Sequence, residues 1–224
     1  MIWYGIILVI LASLFGVLLA GKFRSLHIQL SAFMAGGFLI MAVRHFYHKN
    51  ILLENPLNFL PVVAMVALPV FSISTFKKLG KANDHASWFW GFILLFLNGI
   101  HTLLGSAVIS KQDTHTAILA LVLFSIHELV HKASLAGMLV NVGLSWKMAR
   151  IGAISTSFFA LGAFLLNYLS IEIIEFIENV VMLGFGCIGI FFASRFWRKK
   201  LLCRNLPVEV WPFTMGFLIF ALLH

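Results

Sequence analysis

The sequence predicts an all-α membrane protein that crosses the bilayer eight times, with both termini on the outer side. Apolar residues make up 61% of its 224 residues, charged residues only 11%, and the mean hydropathy is +1.01. Soluble domains are closer to half apolar and about a quarter charged. Long apolar segments recur along the chain between short polar connections, and a helix that crosses a bilayer needs roughly 20 such residues. Eight crossings therefore fit, and no segment remains for a soluble domain.

The apolar segments give the elements of a single transmembrane domain that covers residues 1–224. The first segment has no basic residue ahead of its apolar run, unlike a cleaved signal peptide, so we expect a permanent span. The fifth is longer than a bilayer requires and is expected to tilt or to extend beyond it. The predicted spans cover residues 2–20, 27–46, 57–76, 88–110, 117–143, 148–169, 173–194 and 209–223.

The distribution of Lys and Arg predicts the orientation of the spans. Most basic residues fall in the connections after the first, third, fifth and seventh spans, whereas the opposite side has the acidic residues Glu172, Glu175 and Glu178. Cytoplasmic loops are the ones enriched in Lys and Arg, which places both termini outside. The net charge of +8 thus reflects topology and contact with anionic lipid rather than nucleic-acid binding. The basic residues of these four connections are Lys22, Arg24, Lys77, Lys78, Lys81, Lys147, Arg150, Arg195, Arg198, Lys199, Lys200 and Arg204.

Histidines in the fourth and fifth spans are the candidates for function. Ionisable side chains are costly at bilayer depth, and those found there are usually paired and functional. His127 and His131 are four residues apart, which brings both imidazoles to one face of a helix, where they can bind one metal ion. His101 offers a third nitrogen from the preceding span, and Glu128 offers an oxygen. The predicted mononuclear metal site comprises His101, His127, Glu128 and His131.

The polar residues around these histidines have more than one interpretation. Lys132 follows Glu128 by four residues, so Glu128 either neutralises this ammonium or binds metal. Beside a bound metal, Lys132 would stand in for a second cation. Asn98 and Thr102 either hydrate an ion path along the fourth span or join helices by hydrogen bonds. The histidines themselves can also serve only to link helices.

Residues 127–149, HELVHKASLAGMLVNVGLSWKMA, resemble the signature of the ZIP (Zrt/Irt-like) family of divalent-metal transporters. In that family an HExxHE-type motif of the fifth span is followed by Gly-x-Ser at the start of the next loop, and Gly143 and Ser145 stand at those positions. His101 matches a histidine of the family's fourth span. His45 matches a histidine at the end of the second span, so the resemblance adds His45 to the ion path.

The sequence departs from the family pattern in the fourth, fifth and sixth spans. Gly105 stands where the family has an acid, Thr102 where it has asparagine, and Lys132 where it has an acid or a small residue. The sixth span has no carboxylate at the position where many members keep one. The two-metal site of the family therefore cannot be assembled here, whereas a one-metal site can.

The resemblance implies uptake of divalent cations into the cytoplasm, without enzymatic activity, through a site between the fourth and fifth spans. We expect Zn²⁺ as the substrate, with Fe²⁺, Mn²⁺, Cd²⁺ or another divalent ion as alternatives. Membrane lipid is an expected partner, nucleic acid is not, and a homodimer remains open. The sequence contains no N-x-Ser/Thr acceptor and no extracellular cysteine pair, which favours a bacterial inner membrane.

Two other functions remain open at this point. Residues 127–131, HELVH, match H-E-x-x-H, in which two histidines bind zinc and the glutamate is the general base of a metallopeptidase. An intramembrane peptidase also needs a third ligand, often an acid further along the chain. After His131 the predicted spans contain no Asp, and Glu172, Glu175 and Glu178 cluster at an outer helix start. The third hypothesis is a degenerate relative that binds metal without carrying it, because the acids of the fourth and sixth spans are missing.

Overall fold

The structure, a computed structural model, describes residues 2–22, 27–48, 63–64, 67–69, 84–110, 114–202 and 210–223. Within these ranges the chain is helical apart from short turns, and no strand occurs, which confirms the all-α class. The α-helices are α1 (Ile2–Lys22), α2 (His27–His48), α3 (Asp84–Ser110), α4 (Thr114–Asn141), α5 (Trp146–Ser155), α6 (Ile171–Leu202) and α7 (Val210–Leu223), and a 3₁₀-helix (Thr156–Tyr168) follows α5.

Five of these helices are long and apolar enough to cross a membrane. They are α1, α2, α3, α4 and α6, which correspond to the first, second, fourth, fifth and seventh predicted spans. The predicted third span, 57–76, lies mostly outside the described residues. The predicted eighth span corresponds to α7, a shorter apolar helix of 14 residues. The count of eight spans and the outward termini remain predictions.

The predicted sixth span, 148–169, is divided between two kinds of helix. The α-helix α5 has 10 residues and the 3₁₀-helix after it has 13, although 3₁₀ runs longer than three or four residues are uncommon. Two residues with hydroxyl groups lie where the α-helix changes to the 3₁₀-helix. Ser155 Oγ donates to the carbonyl of Gly152 at 2.7 Å, and Thr156 Oγ1 to that of Ala153 at 2.8 Å. Such bonds to carbonyls three residues back compete with the regular α-helical pattern.

The chain forms two compact units, whose boundaries fall at the start of α2 and inside α3 and α6. The first unit contains Met1–His27 and Leu95–Val181. In it, α1 packs mainly against α4. Gly16 lies at this contact, where an ideal Cβ would stand only 2.2 Å from the carbonyl oxygen of Leu129. The glycine thus allows the two backbones to approach more closely than any side chain would permit.

The second unit contains Ile28–Leu94 and Met182–His224. Its helices are joined by small residues and aromatic rings. A Cβ at Gly36 would lie 2.1 Å from the carbonyl oxygen of Phe213, and one at Gly216 would lie 1.9 Å from that of Phe33, so α2 and α7 touch along their backbones. Between α2 and α6, the rings of Phe38 and Phe185 stack with centroids 4.3 Å apart.

The connection from α4 to α5 explains the Gly-x-Ser stretch by helix capping. Gly143 has φ +104, and its N–H donates to the carbonyl of Val140 at 3.0 Å, while Leu144 N–H donates to that of Leu139 at 3.0 Å. This is the Schellman pattern, which favours glycine at the left-handed position. Ser145 is the N-cap of α5, where its hydroxyl accepts a hydrogen bond from Met148 N–H. Both residue types therefore have a structural reason that needs no metal.

Candidate metal centre

Three histidine rings from α3 and α4 converge within the first unit. His127 and His131 lie one turn apart on the same face of α4, and their ring centroids are 5.0 Å apart. The ring of His101, on α3, lies 5.5 Å from that of His127 and 5.2 Å from that of His131. The structure thus brings together the three predicted nitrogen ligands.

The nitrogen atoms of these rings are close to the spacing that a metal requires. One nitrogen from each ring lies within 4.8 Å of the other two, and the Nε2 atoms of His101 and His127 are 3.2 Å apart. A tetrahedral zinc ion with Zn–N bonds of about 2.0–2.1 Å holds its nitrogens roughly 3.3 Å apart. The His101–His127 pair already matches that distance. The widest pair has to close by up to about 1.5 Å to join the same ion.

Burial differs between the three rings. His101 and His127 are partly buried, whereas His131 is only 1% exposed. The ring of Phe124 covers one side of His127, with its centroid 6.0 Å away and its plane tilted by 18°. A Cβ at Gly105 would lie 2.3 Å from this Phe124 ring. The space for the acid that the family resemblance expects at position 105 is therefore filled by an aromatic side chain.

Lys132 is fully buried beside the histidines, and its ammonium group is completely hydrogen-bonded. Nζ donates to Asn98 Oδ1 at 2.5 Å, to Thr102 Oγ1 at 2.7 Å and to Glu128 Oε2 at 3.0 Å. An ammonium has three N–H donors, so these three acceptors satisfy it. Burial of an unpaired ammonium would cost several kcal/mol, on the order-of-magnitude scale for buried charges. Asn98 and Thr102 of α3 therefore help to hold the charge of Lys132.

The two carboxylate oxygens of Glu128 have different surroundings. Oε2 forms the ion pair with Lys132 and is 3.1 Å from the hydroxyl of Thr102. Oε1 is buried and has no hydrogen-bond partner among the described residues. Glu128 thus neutralises Lys132 with one oxygen, whereas the group of atoms that could hold a metal ion consists of nitrogens of His101, His127 and His131, without Glu128. The contact with Lys132 agrees with the first of the two interpretations, and metal binding by Glu128 stays a prediction.

Asn98 joins the lysine to the third histidine. Its amide nitrogen Nδ2 lies 2.7 Å from His131 Nδ1, and its oxygen Oδ1 faces Lys132 Nζ and the hydroxyl of Thr156, 3.3 Å away. Thr156, the first residue of the 3₁₀-helix, is not among the site residues predicted from the sequence. The signal was present, because Ser155, Thr156 and Ser157 are three consecutive hydroxyl residues in an apolar segment.

His45, assigned to the ion path from the resemblance, belongs to the second unit. It lies on α2, is partly buried, and its ring meets that of Phe46 edge to face at 5.3 Å. The other residues assigned to the path, Asn98 and Thr102, are fully buried and belong to the Lys132 network.

Comparison with known proteins adds no relative. The chain matches no protein-family model, and no characterised protein is similar to it at a significant level. The similarity to the ZIP family therefore stays a prediction from the motifs of the fourth, fifth and sixth spans.

Proposed function

We propose that this protein is an integral membrane protein that binds a divalent metal cation at His101, His127 and His131 and carries it across the bilayer. The convergence of three imidazoles on one point, from two helices apolar enough to span a membrane, supports the proposal most directly. Intramembrane ionisable residues are costly, and those that persist usually serve a substrate or ion pathway.

The donor set favours zinc as the substrate. Three imidazole nitrogens and one water oxygen give the four-coordinate arrangement that Zn²⁺ prefers. Imidazole also suits copper, iron and nickel, and the general affinity order places copper above zinc. The four-coordinate arrangement is the reason for naming Zn²⁺ as the substrate, and Fe²⁺, Mn²⁺ and Cd²⁺ are retained as competitors to be measured.

Uptake into the cytoplasm, with eight spans and both termini outside, completes the proposal. Its support is the concentration of Lys and Arg in alternate connections of the sequence, which marks those connections as cytoplasmic. A site of few protein ligands also suits transport, because the cation must leave as well as bind. The host membrane would be a bacterial inner membrane.

Metal binding without transport is the second candidate, and the Lys132 network favours it. All three donors of Lys132 are engaged, and the residue is fully buried with Glu128. A fixed positive charge next to the histidines opposes the entry of a second cation and its movement along α4. Peptidase activity is less favoured, because the carboxylate that would act as the general base is held by Lys132 at 3.0 Å.

Elemental analysis of the purified protein tests metal binding, and flux into vesicles tests transport. We expect one zinc per chain in the wild type and a loss of zinc in the His101→Ala, His127→Ala double variant. His45→Ala, a histidine of the second unit, is the matched control and should keep its zinc. Zinc uptake by vesicles containing the wild type supports transport, bound zinc without uptake supports the second candidate, and a wild type without metal contradicts both.

A further inference from the structure

The side-chain amide of Asn98 can take only one of its two orientations while Lys132 stays in place. An ammonium donates hydrogen bonds and accepts none, and Lys132 Nζ lies 2.5 Å from Asn98 Oδ1. The hydroxyl of Thr156 faces the same oxygen at 3.3 Å. Turning the amide over would place Nδ2, another donor, against Nζ. The amide nitrogen therefore has to point to the opposite side, toward His131.

This orientation decides which nitrogen of His131 carries the hydrogen. Asn98 Nδ2 lies 2.7 Å from His131 Nδ1, and an amide N–H can only donate, so Nδ1 is the acceptor. A neutral imidazole has one protonated nitrogen, which must then be Nε2. A metal needs a nitrogen lone pair. In His131, the lone pair of Nδ1 is used by Asn98 and Nε2 carries hydrogen.

The His101–His127 pair is different. Their Nε2 atoms face each other at 3.2 Å. Tautomers with hydrogen on both Nδ1 atoms would direct two lone pairs toward one ion, and the Lys132 network does not oppose that change. These two histidines therefore need only a change of tautomer to receive a cation, whereas His131 is also held by Asn98.

We infer that Asn98 and Lys132 act as a lock on His131, which keeps this histidine out of the coordination sphere until the Asn98 amide turns over. The inference deepens the proposed function and rests on it, since it describes how the same site is regulated. Turning the amide over costs the contact between Asn98 and Lys132. It also allows Nδ1–H of His131 to donate to Oδ1, which frees Nε2 for the metal. The cation is thus captured by two histidines and held by the third only in the unlocked state.

Asn98→Asp separates this lock from a purely structural role of Asn98. A carboxylate has nearly the same shape but accepts on both sides, so it can accept from Lys132 and from His131 Nδ1–H at once. Metal-ligating histidines usually donate their other N–H to a carboxylate or carbonyl, and loss of such partners typically changes metal affinity 10–100-fold. We expect Asn98→Asp to raise zinc affinity by about 10–100-fold.

Added negative charge alone would also raise the zinc affinity, and His131→Ala distinguishes the two causes. If the gain comes from His131, then His131→Ala removes it in the Asn98→Asp background while costing much less in the wild type. If the gain comes from charge, His131→Ala has the same effect in both backgrounds, and the inference is wrong. Ser157→Ala, a buried hydroxyl residue next to Thr156, is the control and should leave zinc affinity unchanged.

The tautomer can be observed directly in the metal-free protein by ¹⁵N NMR of labelled histidine. We expect His131, assigned by the signal lost in His131→Ala, to carry hydrogen on Nε2 in the wild type and on Nδ1 in Asn98→Asp. Hydrogen on Nδ1 in the wild type overturns the inference, and this arm needs no folded Asn98 variant. A tautomer that changes without any change in zinc affinity also overturns it. A wild type and an Asn98→Asp variant that both bind no zinc, with the expected tautomers, refute the proposed function instead.

Discussion

The two units of this protein use the same packing device but bury different chemistry. Both contain glycines at which helix backbones touch, Gly16 in the first unit and Gly216 in the second. Among the described residues, however, every fully buried Asp, Glu, Lys, Arg or His side chain belongs to the first unit: Glu128, His131 and Lys132. The buried residues described in the second unit are apolar apart from Ser31. The described part of the second unit is therefore built for packing, whereas the first unit contains a costly polar network that packing alone does not require.

Breaking the Glu128–Lys132 pair should give the largest effect. Lys132→Met leaves the carboxylate of Glu128 buried without its counter-charge, which typically costs about 3–5 kcal/mol of unfolding free energy. Replacing both residues, with Glu128→Met added, should recover most of that loss, because a buried pair can often be replaced by apolar residues of similar volume. Reversible unfolding in mixed detergent micelles measures both variants.

Ser31→Ala, at the buried polar residue of the second unit, is the control for this experiment and should change the unfolding free energy by only about 1 kcal/mol. A loss for Lys132→Met as small as that of Ser31→Ala would show that the charges are not desolvated. The contrast between the two units would then disappear.

The sequence was enough to predict the helices whose apolar segments have the length of a bilayer. It also predicted the neighbouring histidines of α4, because the four-residue spacing fixes their relative position on any helix. It did not predict the change from α-helix to 3₁₀-helix at Thr156. Apolar side chains occur equally in α-helices and 3₁₀-helices, so the hydrophobic pattern does not distinguish the two. The hydrogen bonds from hydroxyl groups to the carbonyls of Gly152 and Ala153 accompany the change, but they are too local to alter that pattern.

The contact between Asn98 and Lys132 could not be predicted from the sequence either. The two residues are 34 positions apart, and they meet only if these faces of α3 and α4 are turned toward each other. A clue was nevertheless present. Asn98, His101 and Thr102 follow the i, i+3, i+4 pattern of one helical face, and that face is the one turned toward α4. The orientation of the amide, which decides the tautomer of His131, requires the positions of all its partners.

Gly216→Ala tests the second unit and should have an intermediate effect. Its Cβ would lie 1.9 Å from the carbonyl oxygen of Phe33, so the helices must move apart, which typically costs about 1–3 kcal/mol. Because the histidines lie in the first unit, zinc affinity should stay the same. Gly5→Ala is the control: its Cβ would meet only the side chain of Leu121 at 3.4 Å, and the better helix propensity of Ala should make it neutral or stabilising. A loss of zinc affinity in Gly216→Ala would contradict the assignment of packing to the second unit.

Thr156→Val should give the smallest effect and sharpen the description of the first unit. The change removes the hydroxyl that donates to the carbonyl of Ala153 at 2.8 Å and faces Asn98 Oδ1 at 3.3 Å, but it keeps the shape of the side chain. One lost hydrogen bond costs about 1 kcal/mol. Lys132 still holds the amide at 2.5 Å, so His131 should keep its tautomer and zinc affinity should rise by no more than a few-fold. An increase as large as that of Asn98→Asp would mean that Thr156, rather than Lys132, fixes the amide. The 3₁₀-helix would then control zinc affinity through Thr156, a residue without charge.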